Sequence, residues 1–235
     1  MYLCGSKICP HYNNSTMNII IIANGSFPTL PTVLQQLNTA DLVVCCDGAL
    51  ANYLRWYRQQ SLRPSHLVAV VGDGDSLSPA LLQEAQREHI QLDHQQIDEQ
   101  EYNDLTKAVR YAVAQCHGQK ANISILGATG KREDHTLGNI SLLAYYMEEF
   151  SNCDFSMPGD YGTFYPMQGS RTFASQAGQQ ISLFSLQPEI PITVSGLRYP
   201  IENRKINWWW EATLNEAEGD SFTVTGGRML VYIKH

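Results

Sequence analysis

Residues 18–48 read NIIIIANGSFPTLPTVLQQLNTADLVVCCDG, with two aliphatic runs, Ile19–Ala23 and Leu42–Cys46, on either side of a segment with helical spacing. Near-continuous apolar runs of this length are typical of strands that are buried on both faces of a sheet. A strand, a helix and a second strand in succession predict a right-handed βαβ unit with parallel strands.

The same alternation continues to about residue 150. The runs Leu67–Val71 and Ile123–Leu126 predict two more buried strands. Helices are expected near residues 29–37, 50–59, 79–88, 104–116 and 136–149. We therefore expect an α/β domain with a parallel sheet over residues 17–152, with its ligand beyond the carboxyl ends of the strands.

After Phe150 the helical period disappears, and short alternating segments are separated by Gly and Pro. This pattern of short alternating segments predicts a small all-β sandwich or barrel domain over residues 153–235. The expected strands lie at 161–165, 170–173, 180–186, 192–194, 221–225 and 229–233. Residues 1–16 are expected to form a disordered extension, unless Met17 is the true start.

Composition narrows the functional class. The net charge of −7 over 235 residues argues against a nucleic-acid partner, which would require a basic surface. No apolar run approaches the roughly 18 residues of a membrane span. The six cysteines include no CxxC pair, so neither a zinc site nor a disulfide framework is indicated. Cys45 and Cys46 are interpreted as core residues of a reduced, cytoplasmic protein.

The loop after the third predicted strand, Gly72–Ser76, reads GDGDS. Side chains two apart in an extended chain point the same way, so Asp73 and Asp75 can converge. Two carboxylates about 4 Å apart repel by about 4 kcal/mol at an effective dielectric near 20, which favours a proton or a cation between them. Mg²⁺ fits, because it binds one or two carboxylates together with water and substrate phosphates. The alternative is a simple turn before the next helix.

Two further loops carry charged side chains. Asn103 is a plausible N-cap that places Asp104 and Lys107 on one face of the first helical turn. A lysine there is explained by a nearby phosphate, or else by an Asp–Lys pair on a solvated face. After the last parallel strand, residues 127–135 read GATGKREDH, which is not a Walker A loop.

In this glycine-rich loop Arg132 is either a phosphate ligand or the partner of a neighbouring carboxylate, and Asp134 can cap the helix. His135 is interpreted as a packed or capping residue or as a catalytic one. Asp47 follows the second strand. All these loops lie at the same edge of the predicted sheet, so together they predict a site for a metal and a phosphate.

Taken together, these residues resemble the thiamine pyrophosphokinase (thiamin pyrophosphokinase) family, which transfers the pyrophosphoryl group of ATP to the thiamine hydroxyl and releases AMP. The family has a DGG-like turn, a GDFDS loop, a Q-x-x-T-D-x-x-K segment and a G-x-x-G-x-R-x-D-H-x-x-x-N loop. Here they correspond to residues 47–49, 72–76, 100–107 and 127–139, and the match spans about residues 18–145.

The resemblance implies roles for individual residues. The Mg²⁺ ligands would be Asp73, Asp75 and Asp104, which together with Lys107 and Arg132 form the catalytic set. ATP would lie near Asp47, Gln100, Lys107, Gly130, Arg132 and Asp134. The resemblance also implies a homodimer with thiamine near its interface. Four positions depart from the family pattern: Ala49 and Lys131 replace glycines, Gly74 an aromatic residue and Asn103 a threonine.

The second half matches less well. Gly196–Pro200 resembles the family's GLKYP turn, but the family's Ser-Asn pair appears as Leu214-Asn215, so Thr213 would have to supply the hydroxyl. Residues 208–210 are all tryptophan, and if they form a strand, Trp208 and Trp210 share a face on which thiamine could stack. The alternative is that the tryptophans are buried in the core or in a dimer interface. The thiamine candidates are Trp210, Thr213 and Asn215.

The sequence therefore predicts a Mg²⁺-dependent thiamine pyrophosphokinase with ATP as co-substrate. Two alternatives stay open at this point. One is a pyrophosphokinase for another hydroxymethyl heterocycle, such as a pterin. The other is a non-catalytic nucleotide sensor whose β domain binds a partner. A DxD phosphohydrolase is a weaker fourth possibility.

Overall fold

A computed structural model describes residues 16–97 and 101–235. It is a mixed α/β fold built on one large sheet of strands ordered β10-β9-β12-β7-β6-β5-β1-β2-β3-β4, with β8 and β11 off this path. The strands of the first half are β1 Met17–Ile22, β2 Leu42–Cys46, β3 Leu67–Gly72, β4 Leu92–Gln96, β5 Ala121–Leu126 and β6 Cys153–Pro158. Those of the second half are β7 Gly162–Ala174, β8 Gln180–Ser185, β9 Ile192–Ser195, β10 Ile201–Arg204, β11 Asn215–Glu216 and β12 Ser221–Lys234.

The first half is a parallel sheet, β6-β5-β1-β2-β3-β4, with helices on both faces. The helices are α1 Pro31–Leu34, α2 Leu50–Tyr57, α3 Pro79–Arg87, α4 Asp104–Gln115 and α5 Glu133–Glu149. Alternate residues of β1 serve different cores: Ile20 packs with α1, α2 and α3, whereas Ile21 packs with α4 and α5. This two-sided burial explains the continuous aliphatic runs.

Local chemistry sets the ends of the helices. Asn103 accepts a 2.9 Å hydrogen bond from the Thr106 N–H and so caps α4, as predicted. The Ser78 hydroxyl likewise caps α3, which has Pro79 in its first turn. The predicted helix at 29–37 is shorter than expected, because α1 passes into the 3₁₀ turn Gln35–Thr39.

In the second half, β7 and β12 pair antiparallel along their whole length, with a bulge between Gly226 and Met229. Each was predicted as two short strands. The first part of β12 pairs with β9 and the last part with β8, so one long strand has two short strands as neighbours in addition to β7. Phe222 and Val231, from the two parts of β12, lie in the same buried cluster. β10 and β11 were not predicted.

β6 connects the two halves, since it pairs in parallel with β5 and antiparallel with β7. The predicted division after residue 152 assigns this strand to the second domain, although most of its pairing is with the parallel sheet. The free thiols of Cys45 and Cys46 are buried in the core. Among the described residues no helix has both the length and the apolar character needed to span a bilayer.

Candidate functional site

A cleft of about 420 Å³ lies at the carboxyl ends of the parallel strands. Its walls come from the loops after β1, β2, β3 and β5 and from the beginning of α4. This is the edge at which ligands of open α/β sheets bind. The polar side chains that line it are Asn24, Asp47, Ser76, Asn103, Asp104, Lys131, Arg132, His135 and Asn139.

Three carboxylates converge at this edge. Asp47, Asp73 and Asp104 each place one oxygen within 4.8 Å of the others. Asp47 is only 2% exposed, and its Oδ1 has no hydrogen-bond partner among the described residues. Its Oδ2 accepts a 2.9 Å hydrogen bond from the Gly74 N–H. An added Cβ at Gly72 would overlap the Asp47 carboxylate, so the close approach requires glycine there.

Electrostatics makes this arrangement costly without a cation. Burial raises the pKa of Asp47, the Gly74 N–H opposes that shift, and the nearby Asp104 and Asp73 reinforce it. A buried, unpartnered carboxylate oxygen beside two further carboxylates is a donor set that suits a hard divalent cation. The residues present therefore fit Mg²⁺.

The predicted metal ligands are only partly brought together. Asp73 and Asp104 lie in the triad, and Asp47, which the resemblance placed near the nucleotide, joins them. Asp75 is exposed and lies outside the triad; its main-chain N–H donates a 3.0 Å hydrogen bond to Asp73 Oδ1. Asp75 thus shapes the loop in this structure, and its role as a ligand stays a prediction.

Lys107 is buried beneath the triad, with only 4% of its surface exposed. Its Nζ lies 3.4 Å from Asp104 Oδ1. The alternative interpretation, an Asp–Lys pair on a solvated helix face, is therefore wrong, because the lysine is buried. A buried lysine needs a compensating anion, and Asp104 provides one at the opening of the cleft.

The loops after β1 and β5 are joined closely. The Gly25 N–H donates to Gly127 O at 2.6 Å, and the Ser26 N–H donates to Thr129 O at 2.8 Å. The Lys131 Nζ donates to the carbonyl oxygen of Asn24 at 2.8 Å and to its Oδ1 at 3.3 Å. The β1 loop was missed by the sequence analysis, although Asn24–Ser26 follows a buried strand at the predicted edge.

In the same region Arg132 forms a bidentate pair with Asp134, with Nη2–Oδ2 at 2.6 Å and Nε–Oδ1 at 3.1 Å. Both side chains are exposed, and the arginine lowers the pKa of Asp134. Asp134 lies inside the first turn of α5 rather than at its N-cap, which is Arg132. Gly130 and His135 border the cleft, and Gln100 lies outside the described residues.

The three tryptophans do not form the strand considered for them. Trp208 is extended, and Trp209–Ala212 is a 3₁₀ turn. The exposed fractions of Trp208, Trp209 and Trp210 are 66%, 43% and 72%. Trp209 is held inward, since its indole N–H donates to Ser185 O at 3.1 Å. Trp208 and Trp210 therefore present an exposed aromatic surface.

The other two thiamine candidates have internal partners. The Thr213 hydroxyl donates to Trp210 O at 2.9 Å. Asn215 is buried; its Oδ1 accepts from the N–H groups of Tyr199 and Glu216, and its Nδ2 donates to Tyr199 O at 2.7 Å. Asn215 thus holds the turn that resembles GLKYP.

Two family models match the chain. Residues 33–155 match the model described as thiamin pyrophosphokinase, catalytic domain, and residues 162–232 match that described as thiamin pyrophosphokinase, substrate-binding domain. The gap between the two matches falls at the end of β6 and the turn to β7. No curated protein sequence matches the chain.

Solved structures share the fold. Thiamin pyrophosphokinase from Candida albicans superposes with a TM-score of 0.79 at 18% identity, covering 94% of this chain and 90% of that one. The yeast enzyme gives 0.76 at 15% identity, covering 95% and 88%. Thiamine pyrophosphokinase from Bacillus subtilis gives 0.72 at 20% identity, covering 92% and 98%.

Proposed function

The chain belongs to the thiamin pyrophosphokinase family, and from that premise we propose that it transfers the pyrophosphoryl group of ATP to the hydroxyl of thiamine. The observation that supports this most directly is the carboxylate triad with the unpartnered Asp47 Oδ1. Two of its members, Asp47 and Asp104, line a cleft that Lys131 and Arg132 also line. The pterin acceptor and the nucleotide sensor are not favoured, because both halves match domains of this one family.

We propose that Asp47, Asp73 and Asp104 hold Mg²⁺. When bound, the ion would neutralise charge on the polyphosphate and help to orient it. Asp47 is held in place for this by the Gly74 N–H on its other oxygen, and Asp104 by the buried Lys107. Asp75 stays a candidate for a water-mediated or substrate-dependent contact at the same loop.

In the reaction, the thiamine hydroxyl oxygen forms a bond to the β-phosphorus of ATP, and its proton passes to a carboxylate of the site or to water. The bond from that phosphorus to the oxygen that bridges it to the α-phosphorus breaks, and AMP leaves with that oxygen. The chain's task is to align these groups and to offset phosphate charge. We propose Lys107 and Arg132 as the cations that do this. Arg132 would break its ion pair with Asp134 and pair with a phosphate oxygen instead. Gln100 and Gly130 complete the proposed nucleotide surroundings.

For thiamine, the exposed aromatic surface is the best-supported candidate. Trp210 can stack on a flat cationic ring, with Thr213 beside it. Trp208, Tyr199 and Leu214 are also large apolar side chains that are mostly exposed. Exposed apolar groups on this scale often mark an interaction surface, which fits a homodimer with thiamine near the interface.

The direct test is to incubate the protein with Mg²⁺, ATP and thiamine and to separate the nucleotides and thiamine esters by chromatography. We expect AMP and thiamine diphosphate in equal amounts. Asp73→Asn and Asp104→Asn should form almost no AMP, whereas Asp154→Asn, an exposed control on β6, should retain activity. Because Asp104→Asn also removes the carboxylate partner of the buried Lys107, Tm is measured on each variant, and Asp73→Asn is the variant expected to keep the stability of the wild type. Full activity in both site variants would overturn the assignment of the triad, and AMP formation with a pterin alone would overturn the acceptor.

A further inference from the structure

The cations of the cleft differ in what they contact. The ammonium of Lys107 is paired with Asp104, and the guanidinium of Arg132 is paired with Asp134. Lys131 lines the cleft, and within the described part of the chain the hydrogen bonds of its Nζ go to the carbonyl oxygen and the amide oxygen of Asn24. Over residues 16–97 and 101–235, Lys131 has no ion pair with a carboxylate. Its charge is therefore available to a bound anion without the loss of an existing ion pair.

The backbone at Lys131 also needs an explanation. Its φ is +60°, the left-handed region in which a residue with a Cβ is less favourable than glycine. Gly130, the preceding residue, has φ +76° and approaches the Ser26 hydroxyl so closely that a Cβ would overlap it. In this conformation the Lys131 ammonium reaches Asn24 in the loop after β1. Strained residues of this kind concentrate at functional sites.

An ammonium has three N–H donors. Asn24 accepts two hydrogen bonds from Lys131, and both acceptors are neutral. One donor and the full positive charge remain for a ligand. Asn24 thus orients the ammonium without neutralising it, and a hydrogen bond from this ammonium to a phosphate oxygen would be charge-assisted and therefore strong.

Resting on the proposed function, we infer that Lys131 binds the polyphosphate of the nucleotide, as a cation additional to Lys107 and Arg132. The ligand class is a nucleoside triphosphate with its divalent cation. Lys131 would act in ground-state binding of the nucleotide and would have no contact with thiamine.

The test uses the full-length protein, Mg²⁺ and inorganic triphosphate as the probe, with binding measured by calorimetry. Lys131→Gln keeps an N–H donor for Asn24 and removes the charge, and we expect binding to weaken about tenfold or more. Lys131→Arg restores the charge and should recover most of the affinity. Lys120→Gln, at the other end of β5, is the matched control and should bind as the wild type does.

A second variant separates binding from loop conformation. Lys131→Gly adopts the left-handed backbone without strain and also lacks the ammonium, so it should show the same loss as Lys131→Gln. In the enzyme assay both should raise KM for ATP and leave KM for thiamine unchanged. Wild-type triphosphate binding by Lys131→Gln and Lys131→Gly would overturn the inference. If the wild type binds triphosphate through Lys131 but forms no AMP with thiamine, the proposed function fails and this inference stands.

Discussion

The main-chain N–H of Gly74 donates a 2.9 Å hydrogen bond to Asp47 Oδ2, although the two residues are 27 positions apart. This bond ties the loop after β3 to the residue that follows β2. Gly74 has φ +89°, so a side chain at this position would be strained. The left-handed turn that aims the Gly74 N–H at Asp47 therefore favours glycine at this position.

Asp47→Asn tests the metal site through stability. The amide keeps an acceptor for the Gly74 N–H but removes a buried charge that faces two other carboxylates. We expect the metal-free variant to be more stable than the wild type and to lose the increase in Tm that Mg²⁺ gives. Thermal denaturation with Mg²⁺ and with EDTA measures both effects. An unchanged Mg²⁺ response would mean that Asp47 does not bind the ion.

A matched pair of glycine substitutions tests the close approach at Gly72. Gly72→Ala would force its Cβ against the Asp47 carboxylate, and we expect a loss of about 1–3 kcal/mol in the free energy of unfolding together with weaker Mg²⁺ binding. Gly138→Ala, in α5 with no atom near the added Cβ, should gain about 0.5–1 kcal/mol. Urea denaturation compares them. Equal effects in the two variants would contradict the geometry.

Trp210 and Asn215 should respond differently to alanine. Trp210 is 72% exposed, so Trp210→Ala is expected to leave Tm nearly unchanged and to raise KM for thiamine. Asn215→Ala removes three hydrogen bonds in a buried turn and should cost about 1–3 kcal/mol in stability. Tm and KM measured on the same preparations separate the roles. A stable Asn215→Ala protein with a raised KM would instead make Asn215 a thiamine ligand.

The burial of His66, which lies outside the cleft, predicts that the free energy of unfolding depends on pH. Its Nε2 lies 2.8 Å from the Tyr53 hydroxyl, and its buried Nδ1 has no partner in the described part of the chain. Burial lowers the pKa of His66, so below about pH 6.5 the unfolded chain takes up a proton that the folded protein does not. The free energy of unfolding should therefore fall as the pH decreases, by at most about 1.4 kcal/mol per pH unit.

His66→Gln should flatten this part of the stability profile, whereas His117→Gln, at an exposed residue, should leave it unchanged. Urea titrations between pH 7.5 and 5.5 provide the comparison. The same slope in the His66 variant and the wild type would rule out His66 as its source.

The parallel strands could be predicted because a strand that is buried on both faces has a continuous run of apolar residues. The run Leu42–Cys46 coincides with β2. β4, Leu92–Gln96, was missed since it lies at the sheet edge and reads LDHQQ, with no apolar run. β12 was divided in the prediction because Gly226 and Gly227 interrupt its apolar alternation, and in the structure they coincide with a bulge.

The candidate site was partly predictable for a similar reason. Asp73 follows the predicted third strand and Asp104 begins the predicted fourth helix, so both were expected at the carboxyl edge of the sheet, where the structure brings them together. The place of Asp47 in the triad depends on Gly72 and Gly74 in another loop, and the burial of Lys107 depends on the packing of α4. Contacts between residues that are far apart in the sequence cannot be predicted from the spacing of residues within one segment. The 3₁₀ turn at Trp209–Ala212 likewise has no periodic pattern.

β6 is paired with β5 on one side and with β7 on the other, so one strand belongs to both halves of the sheet. Any movement of one half against the other would therefore have to bend or break this pairing. Expressing either half by itself would leave an unpaired edge strand exposed, and exposed edge strands promote aggregation. Truncation between residues 152 and 162 is accordingly a poor route to a soluble fragment.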